Sequence, residues 1–329
     1  MRLGIIGKGM IVKDLMTTMA DFDFEELSIL GRKDAEEETR LFAGEHNIKH
    51  CYVDYADLLA SDVDVIYIAL PNNLHFTYAQ EALLHNKHVI VEKPICANFR
   101  ELQKLIELAE SRKLIVVEAM NIHHLPAFKK LKELLAEIGN IKIAHFNISS
   151  YSSRYRAFKE GKVLHTFDPQ QAGGALMDAN VYNLHAAVGL FGQPQEIIYR
   201  ANITKKIDTS GIALLDYGDF KVSCLAAKDS NSPCTSYIQG DEACLVFDEP
   251  ISFTTSFRKI NNDKTVDNFC FAEGKHRLYY EFVEFRRIIA TLDYAKAQEL
   301  LNYSTSVSRL METARKQNNI VFPNDSEAG

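Results

Sequence analysis

The first residues of the chain constrain the fold most strongly, because a short apolar strand runs directly into a glycine turn. The segment from Gly7 to Val12 reads Gly-Lys-Gly-Met-Ile-Val, which is the G-x-G-x-x-G/A pattern with valine in the last place. The first glycine allows a tight turn, and the second lets the backbone approach a pyrophosphate at the N-terminus of the next helix. The third position mainly serves packing of the helix on the strand, so Val12 weakens the match without removing phosphate binding. The predicted cofactor contacts in this turn are Gly7, Lys8, Gly9, Met10 and Ile11.

A second strand, predicted at 27–30, ends in Gly31-Arg32-Lys33. An NAD-selective site usually places an acid here to accept hydrogen bonds from the ribose, whereas an arginine accommodates the 2′-phosphate of NADP. A guanidinium suits a phosphate and would be left unpaired by NAD. We therefore expect NADP as the cofactor, bound by Arg32 and Lys33, with NAD as the alternative. The other interpretation is a solvated Arg-Lys pair that opens a helix over 34–42.

Three more apolar runs, at 64–69, 88–91 and 114–119, alternate with helical patterns. This alternation predicts a parallel, doubly wound sheet. The turn after the first of these runs lies at the carboxyl edge of that sheet, where ligands bind. Its predicted cofactor contacts are Ala69, Leu70, Pro71, Asn72 and His75. A histidine in the first helical turn is more often a structural hydrogen-bonder than a catalyst, and that alternative stays open for His75.

The strand over 88–91 ends abruptly in Glu92-Lys93-Pro94. A lysine at the end of a buried parallel strand is well placed for catalysis, and the following proline restricts it to extended geometry. We expect Lys93 to act in catalysis and, with Glu92, to contact the cofactor. The alternative is a salt-bridging surface pair before a helix. Asn121, after the last strand of the series, is a further candidate contact to the cofactor.

The second half of the chain contains a predicted helix after Gly173-Gly174. Apolar residues repeat along it with helical spacing, and a second stripe at i, i+4 and i+7 places Asp178, Tyr182 and His185 on one face. These three titratable side chains are the candidate substrate side of an active site. The alternative is the solvated edge of an amphipathic helix.

Before this helix, the segment over 151–169 is predicted to be irregular and to cover the substrate, with Arg154 and Tyr155 as weaker candidate substrate contacts. Strand-like runs separated by turns then predict an antiparallel meander. They lie at 141–149, 196–204, 211–215, 221–227, 234–240, 243–247 and 251–257. Helices are predicted at 279–292 and within 293–317.

Three motifs together resemble one known family. The Gly7-x-Gly9 turn, the Ala69-Leu-Pro-Asn-x-x-His75 turn and Val91-Glu-Lys-Pro94 occur in the order and spacing of the Gfo/Idh/MocA oxidoreductases. The resemblance implies a Rossmann domain over 1–121 and a second α/β domain over 122–329. It also implies that the large, mostly antiparallel sheet of the second domain often forms an oligomer interface, that 320–323 packs back on the first domain, and that Lys93 lies beside the nicotinamide and substrate.

This sequence departs from the family pattern Gly-Gly-x-x-x-Asp-x-Gly-x-His-x-x-Asp in its second half. Asp178 is kept, Asn180 replaces a glycine, Tyr182 stands at the histidine position, and His185 stands at the later aspartate position. The tyrosine resembles the branch with glucose-fructose oxidoreductase and the dimeric dihydrodiol dehydrogenases, in which tyrosine exchanges the proton. The departures argue against a plain inositol dehydrogenase.

The expected reaction is hydride transfer between a nicotinamide and a sugar, polyol or small hydroxycarbonyl compound. Carbonyl reduction needs a positioned acid, and Tyr182 can supply the proton if the Lys93 ammonium lowers its pKa from the usual value of about 10. Asp178 would bind a substrate hydroxyl or orient Lys93, and His185 would contact the substrate or support the site. The alternatives are a non-catalytic NADP-binding regulator and a redox-assisted glycosidase or isomerase.

Composition excludes several other classes. The chain of 329 residues is 47% hydrophobic and 25% charged, with a net charge of −7 and no basic tract, which argues against nucleic acid and anionic membranes as partners. Its six cysteines are scattered without a zinc-like grouping, so we expect reduced thiols and no metal site. Without a leader or long apolar run, the sequence predicts a soluble, cytoplasmic protein. The family resemblance implies that it acts on a small molecule as a homodimer or tetramer.

Overall fold

The computed structural model describes residues 1–326, which pack into two compact units. The first unit comprises Met1–Ala119 and Leu278–Thr305, and the second comprises Met120–Arg277 and the residues from Ser306 onward. The sequence-based division at 121 and 122 differs from this packing in two respects: it assigns 278–305 to the second domain, and it assigns residues 120 and 121 to the first. Whether the units are separable domains stays a prediction. Residues 327–329, which end the predicted second domain, lie outside the described residues.

The first unit contains a six-stranded parallel sheet in the order β3-β2-β1-β4-β5-β6. This is the strand order of a Rossmann fold, so the predicted doubly wound sheet is confirmed. Its elements are β1 (Arg2–Ile6), α1 (Met10–Met19), β2 (Glu26–Leu30), α2 (Glu36–Glu45), β3 (His50–Tyr52), α3 (Tyr55–Ala60), β4 (Val65–Ile68), α4 (His75–Leu84), β5 (His88–Glu92), α5 (Phe99–Arg112) and β6 (Val116–Ala119).

The second unit contains an eight-stranded sheet in the order β14-β13-β12-β11-β7-β10-β9-β8, in which only the β7–β10 pair is parallel among the described strands. The predicted mostly antiparallel sheet is thus confirmed. The remaining elements are α6 (Pro126–Leu134), β7 (Ile141–Ser149), α7 (Tyr155–Lys159), α8 (Val181–Phe191), β8 (Glu196–Thr204), β9 (Ile207–Asp216), β10 (Lys221–Ala227), β11 (Ser236–Gly240), β12 (Ala243–Phe247), β13 (Ser256–Asn261), β14 (Val266–Cys270), α9 (Arg277–Thr291) and α10 (Tyr294–Lys316).

The last two helices explain why 278–305 groups with the first unit. Leu278, Phe282, Phe285 and Leu300 lie in the same buried apolar cluster as the side chains of β1, α1 and β2. Burial of such aromatic and aliphatic surface is the main driving force of packing. The tail at 320–323 belongs to the second unit, so 278–305 is the C-terminal segment that returns to the first unit.

One predicted strand is wrong. The run at 251–257 is not a strand until Ser256, because the residues before it form a turn in which the Phe253 N–H donates to the Pro250 carbonyl at 2.8 Å. Two strands were not predicted. β3 has three residues, and β14 is an edge strand with mostly exposed side chains, so neither shows an apolar alternation.

The second sheet has one buried and one exposed face. Side chains such as Tyr199, Leu215 and Phe146 point to the buried face, where α8 packs against β7 and β10. Their sequence neighbours point the other way, because side chains alternate along a strand. The exposed face carries Ile143, Ile198, Ile212 and Leu214.

Within residues 1–326, no helix is both long and apolar enough to cross a membrane. The same residues contain no cluster of three or more His, Cys, Asp or Glu side chains arranged to hold a metal ion. All six cysteines are free thiols.

Candidate functional site

The glycine turn after β1 is shaped for a phosphate. Gly7 has a φ of 107°, and a Cβ atom there would lie 2.4 Å from the Ala69 carbonyl oxygen, so only glycine fits. Gly9 is the N-cap of α1, and a Cβ atom built on it meets nothing within 4 Å. The turn therefore leaves open space over the helix N-terminus, where backbone N–H groups attract anions. This arrangement fits the pyrophosphate of a dinucleotide.

A cavity of about 510 Å³ lies beside this turn, at the carboxyl ends of β1 and β2. Four predicted cofactor residues line it, namely Gly7, Lys8, Arg32 and Leu70. The other lining residues are Ile6, Leu30, Gly31, Asp34, Ala35, Glu38, Val53, Tyr55 and Tyr78. The predicted contacts that do not line this cavity are Gly9, Met10, Ile11, Lys33, Ala69, Pro71, Asn72, His75, Glu92, Lys93 and Asn121.

Charged groups in this cavity face each other in pairs. Arg32 donates to Asp34 through Nε and Nη2, both at 2.9 Å, and Lys8 Nζ donates to Glu38 at 2.6 Å. The Lys8 hydrogen bond lowers the pKa of the Glu38 carboxyl. Both cations are at the surface, so a phosphate that enters the cavity can compete for them. The sequence did not single out Glu38 or Asp34 as partners of these cations.

Two tyrosines form an aromatic wall in the same cavity. The rings of Tyr55 and Tyr78 lie 4.8 Å apart, and the Tyr55 hydroxyl donates to the Tyr78 carbonyl oxygen at 2.7 Å. Burial raises the pKa of Tyr55, so its hydroxyl stays protonated at neutral pH. An aromatic face suits a stacked purine base. Sequence analysis missed this wall because its members lie on α3 and α4, which are 23 residues apart.

The Lys93 turn is held from behind by buried carboxylates. Glu92 accepts from the Tyr67 hydroxyl at 2.6 Å and from the Lys93 N–H at 3.3 Å. Glu118, on β6, accepts from the Ile95 N–H at 3.0 Å, and Glu101, on α5, accepts from the Ala97 N–H at 3.1 Å. These bonds fix the segment that presents Lys93 after β5.

His75 joins the same segment to the turn after β4. Its Nδ1 lies 2.9 Å from the Pro94 carbonyl oxygen, and its Nε2 lies 2.8 Å from the Leu70 carbonyl oxygen. The ring is fully buried, and burial lowers its pKa despite these two acceptors. Because both ring nitrogens face backbone carbonyls, this geometry favours a structural role, which the sequence left open.

Asn121 lies in the second unit and is buried. Its Nδ2 donates to the Ser252 carbonyl oxygen at 2.7 Å, while its Oδ1 has no hydrogen-bond partner within residues 1–326. A buried amide oxygen of this kind can accept a hydrogen bond from a ligand. Its cofactor contact stays a prediction.

The predicted helix after Gly173-Gly174 begins differently from our expectation. Leu176–Asn180 is a π-helical turn, and the α-helix α8 starts only at Val181. Asp208 accepts from the Leu176 N–H at 2.6 Å, and the Asn180 side chain donates to the Cys224 carbonyl oxygen at 3.1 Å. These contacts tie the turn to β9 and β10. π-helical turns within helices are frequent at functional sites.

Asp178 lies on this π-helical turn and pairs with a residue that sequence analysis missed. Lys228 Nζ donates to Asp178 Oδ2, and the Lys228 side chain is 13% exposed. The two residues are 50 positions apart in the sequence, so no local pattern could connect them. Tyr182, one turn beyond Asp178, is half-buried.

His185 is buried and pairs with another histidine. Its Nδ1 lies 3.1 Å from His123 Nε2, and the two rings are 5.2 Å apart. The His123 ring packs edge-on against Phe128 at 5.8 Å. This contact orients the His185 ring on α8, which agrees with the supporting role that the sequence left open for it.

Arg154 and Tyr155 border the same part of the second unit. Arg154 Nη1 lies 3.4 Å from Thr166 Oγ1, and the Tyr155 ring is 5.6 Å from the Phe167 ring. Phe167 also lies under Lys228 Nζ, at 5.9 Å. The segment predicted as irregular thus contains a short helix, α7, and its aromatic side chains approach the Asp178–Lys228 pair.

The glycine turn, the cavity beside it and the parallel sheet define a dinucleotide-binding protein of the Rossmann class. The family described as "Oxidoreductase family, NAD-binding Rossmann fold", Gfo/Idh/MocA, matches residues 1–120. A scyllo-inositol 2-dehydrogenase (NADP(+)), IolU, of Bacillus subtilis (strain 168) is 34% identical over 98% of this chain and 99% of its own length. The chain belongs to the Gfo/Idh/MocA family, and it is a nicotinamide-dependent dehydrogenase or reductase.

Other relatives share the whole length. The trans-1,2-dihydrobenzene-1,2-diol dehydrogenase of Mus musculus is 26% identical over 99% of both chains. Among solved structures, KijD10, a 3-ketoreductase from Actinomadura kijaniata in complex with NADP and TDP-benzene, superposes with a TM-score of 0.82 at 20% identity, covering 96% of this chain and 97% of that one. Levoglucosan dehydrogenase with NADH and levoglucosan gives 0.82 at 17% identity, covering 97% of both. These structures agree with the fold.

Proposed function

We propose that the protein is an NADP-dependent oxidoreductase for sugars, polyols or small hydroxycarbonyl compounds, with Tyr182 as the general acid and base. The observation that carries this proposal is that Asp178 and Tyr182 lie together on the turn and helix after Gly173-Gly174. They stand at the family's positions for substrate contact and proton exchange. Lys93 stands at the family's lysine position, in a turn held by buried carboxylates.

The geometry of the first unit supports NADP over NAD. Arg32 and Lys8 both line the cavity beside the glycine turn, and no acid stands at position 32 to accept from a ribose hydroxyl. Both cations can exchange their carboxylate partners for a phosphate. The Bacillus subtilis relative is named for NADP(+), which agrees with this choice.

Each catalytic residue has a distinct proposed task. The bound dinucleotide supplies the hydride when the carbonyl is reduced and accepts it in the reverse direction. Tyr182 gives a proton to the carbonyl oxygen as negative charge develops there. The Lys93 ammonium stabilises the phenolate that remains, which makes the proton easier to give. A proton from solvent then restores the Tyr182 hydroxyl. Asp178 accepts a hydrogen bond from a substrate hydroxyl and fixes the substrate.

Inositols are among the candidate substrates, although the sequence motif argued against them. The tyrosine at position 182 argued against a plain inositol dehydrogenase, yet a relative named for scyllo-inositol is 34% identical over nearly the whole chain. Other relatives are named for D-xylose and for a benzene dihydrodiol, so sugars and other cyclic diols are candidate substrates as well. All of these compounds share adjacent oxygen atoms on a ring or short chain.

We also propose that the protein is a homo-oligomer through the exposed face of the second sheet. Ile198 pairs with Leu214 across β8 and β9, and Ile212 lies in the next row, so three large apolar side chains form a contiguous patch. Contiguous exposed apolar patches often mark interaction surfaces. A two-fold axis through the patch would make it self-complementary.

The test of the chemistry is Tyr182→Phe. This change removes one hydroxyl, keeps the ring on α8, and should lower turnover by about 10² to 10⁴, the usual contribution of general acid-base catalysis. NADPH oxidation is first screened against scyllo-inosose, aldoses, ketoses and dicarbonyls, and the steady-state rate is then measured on the best substrate. NADPH affinity should hardly change.

Tyr217→Phe is the matched control, since that hydroxyl donates to the Gly192 carbonyl oxygen at 2.9 Å at the surface of the second unit. It should keep the wild-type rate. A Tyr182→Phe enzyme within a few-fold of wild type would show that the proton comes from another group, with His185 next in line. Substrate conversion without net loss of NADPH would instead indicate a redox-recycling isomerase or glycosidase.

A further inference from the structure

Lys228 is the partner of Asp178 in the second unit. It follows β10 directly, and its ammonium donates to one carboxylate oxygen of Asp178. The aspartate is 34% exposed and the lysine 13% exposed, so the pair is accessible from solvent although most of the lysine is covered. The Asp178 carboxylate, which is a candidate contact to the substrate, thus lies next to the Lys228 ammonium.

The Lys228 backbone and side chain are held in place. Its N–H donates to the Thr209 carbonyl oxygen at 2.9 Å, and its own carbonyl oxygen accepts from the Ser152 N–H at 2.9 Å. Its Nζ lies 5.9 Å from the centre of the Phe167 ring, which is fully buried. A lysine fixed at both ends in this way loses little further freedom when it binds a ligand.

The two groups have complementary hydrogen-bonding capacities. A carboxylate only accepts and an ammonium only donates, whereas a hydroxyl does both. A single substrate hydroxyl next to the pair can therefore form a good hydrogen bond with one of the two groups, and the other group must compete for the same oxygen. Two oxygen atoms on neighbouring carbons can satisfy both, because the first hydroxyl donates to Asp178 and the second oxygen accepts from Lys228.

We propose that Lys228 and Asp178 together recognise two adjacent oxygen atoms of the substrate, which makes Lys228 a specificity-determining residue for vicinal diols and the matching hydroxycarbonyl compounds. This inference rests on the proposed function, since it uses Asp178 as a substrate contact. It narrows the substrate class from sugars, polyols and small hydroxycarbonyls in general to those that carry oxygen atoms on two adjacent carbons.

Binding of simple probes tests the pair without requiring turnover. The Tyr182→Phe protein, saturated with NADP⁺, is titrated with trans-cyclohexane-1,2-diol, cyclohexane-1,4-diol and cyclohexanol by calorimetry or ligand-observed NMR. The first two probes have the same number of hydroxyls and differ only in their spacing. The 1,2-diol should bind about 10- to 100-fold more tightly than the 1,4-diol, the usual effect of a hydrogen bond to a charged group.

Lys228→Met in the same background should reduce this ratio to within a few-fold, and Lys228→Arg, which keeps the donor charge, should restore part of it. Lys228→Gln replaces the methionine variant if that protein does not fold. Lys205→Met is the matched control, because Lys205 Nζ also lies over an aromatic ring, Phe158 at 4.8 Å, but donates to the Phe158 carbonyl oxygen. The control should keep the ratio.

The outcomes separate this inference from the proposed function. A ratio that survives Lys228→Met and Lys228→Gln, or a wild-type site that binds the two diols equally or not at all, overturns the role of Lys228. The ratio of the two diol affinities could instead depend on Lys228 while the wild-type enzyme oxidises no diol and Tyr182→Phe changes no rate. That result would support the recognition pair and contradict the proposed chemistry.

Discussion

At the scale of a single residue, we propose that Arg32 selects NADP over NAD. Its guanidinium lines the cavity beside the glycine turn and, within residues 1–326, forms an ion pair with Asp34, which is also exposed. The first prediction is that Arg32→Ala weakens NADPH binding by about 10- to 100-fold and leaves NADH binding nearly unchanged, because only NADPH has the phosphate that the guanidinium binds. Fluorescence titration of both nucleotides measures the effect.

Arg40→Ala is the control for that titration. Arg40 lies on α2 and pairs with Glu36 at 2.7 Å, but it does not line the cavity. Its removal should leave both affinities as they are. Equal losses of NADPH and NADH affinity in the Arg32 variant, or a wild-type preference for NADH, would contradict the assignment.

Local sequence motifs predicted only part of the candidate site. The positions of Lys93 after β5 and of the glycine turn after β1 could be predicted, because each motif is contiguous in sequence; their roles stay predictions. Lys228 and Glu118 could not be predicted, since each acts on a partner far away in the chain, Asp178 and Ile95 respectively. Such contacts depend on strand register, which single-sequence patterns do not determine.

At the scale of elements, the π-helical turn that carries Asp178 depends on Asp208. This carboxylate of β9 is fully buried, accepts from the Leu176 N–H and accepts from the Tyr199 hydroxyl at 2.8 Å. Burial raises its pKa, and these hydrogen bonds, with the charge of Lys228, oppose the effect without cancelling it. The folded protein therefore binds the Asp208 proton more tightly than the unfolded chain does.

The second prediction follows from this linkage. As pH rises from about 4, the ordinary aspartate pKa, towards the raised pKa of the folded state, the unfolded chain releases the proton first and wild type loses stability. Asp208→Asn does not titrate. The unfolding free energy of wild type minus that of Asp208→Asn should therefore fall with rising pH and then level off, as measured by urea unfolding.

Asp216→Asn provides a control of opposite sign. Asp216, on the same strand, accepts from the Gly218 N–H and from Lys221, and these bonds lower its pKa. The stability that wild type gains over this variant is present at neutral pH and is lost as pH falls. A free-energy difference for Asp208→Asn that rises with pH would show that its carboxylate is ionised without cost in the fold.

The elements themselves were predicted to different degrees. The parallel strands of the first unit are continuous apolar runs, and the sequence located four of its strands closely. β3 and β14 were not predicted because they are short or exposed. The π-helical turn was not predicted because it is held by the Asp208 side chain of β9 and the Cys224 backbone carbonyl of β10. Its apolar spacing is the same as that of an α-helix.

At the scale of the whole molecule, the exposed apolar patch on the second sheet predicts self-association. Ile212→Lys should convert the oligomer to a smaller species, because a two-fold interface would place two lysines against apolar surface and each other, a cost of several kcal/mol. Sedimentation velocity across a range of protein concentrations measures the change. NADPH affinity should be retained.

Leu41→Lys is the control for this experiment, since Leu41 is also an exposed large apolar residue but lies on α2 in the first unit. It should keep the wild-type oligomer. A wild-type protein that sediments as a monomer at all concentrations would refute the assignment of this sheet face, as would an Ile212→Lys protein with unchanged mass.

The carboxylates behind the Lys93 turn have a consequence for how such enzymes diversify. Glu92, Glu101 and Glu118 each bind an N–H of the segment 93–97, and all three lie within the first 119 residues. The Lys228–Asp178 pair is encoded entirely in the second unit. If the Lys228–Asp178 pair binds substrate as proposed, substitutions confined to the second unit can change substrate preference while the contacts that present Lys93 are kept. A laboratory library confined to those positions has the same advantage.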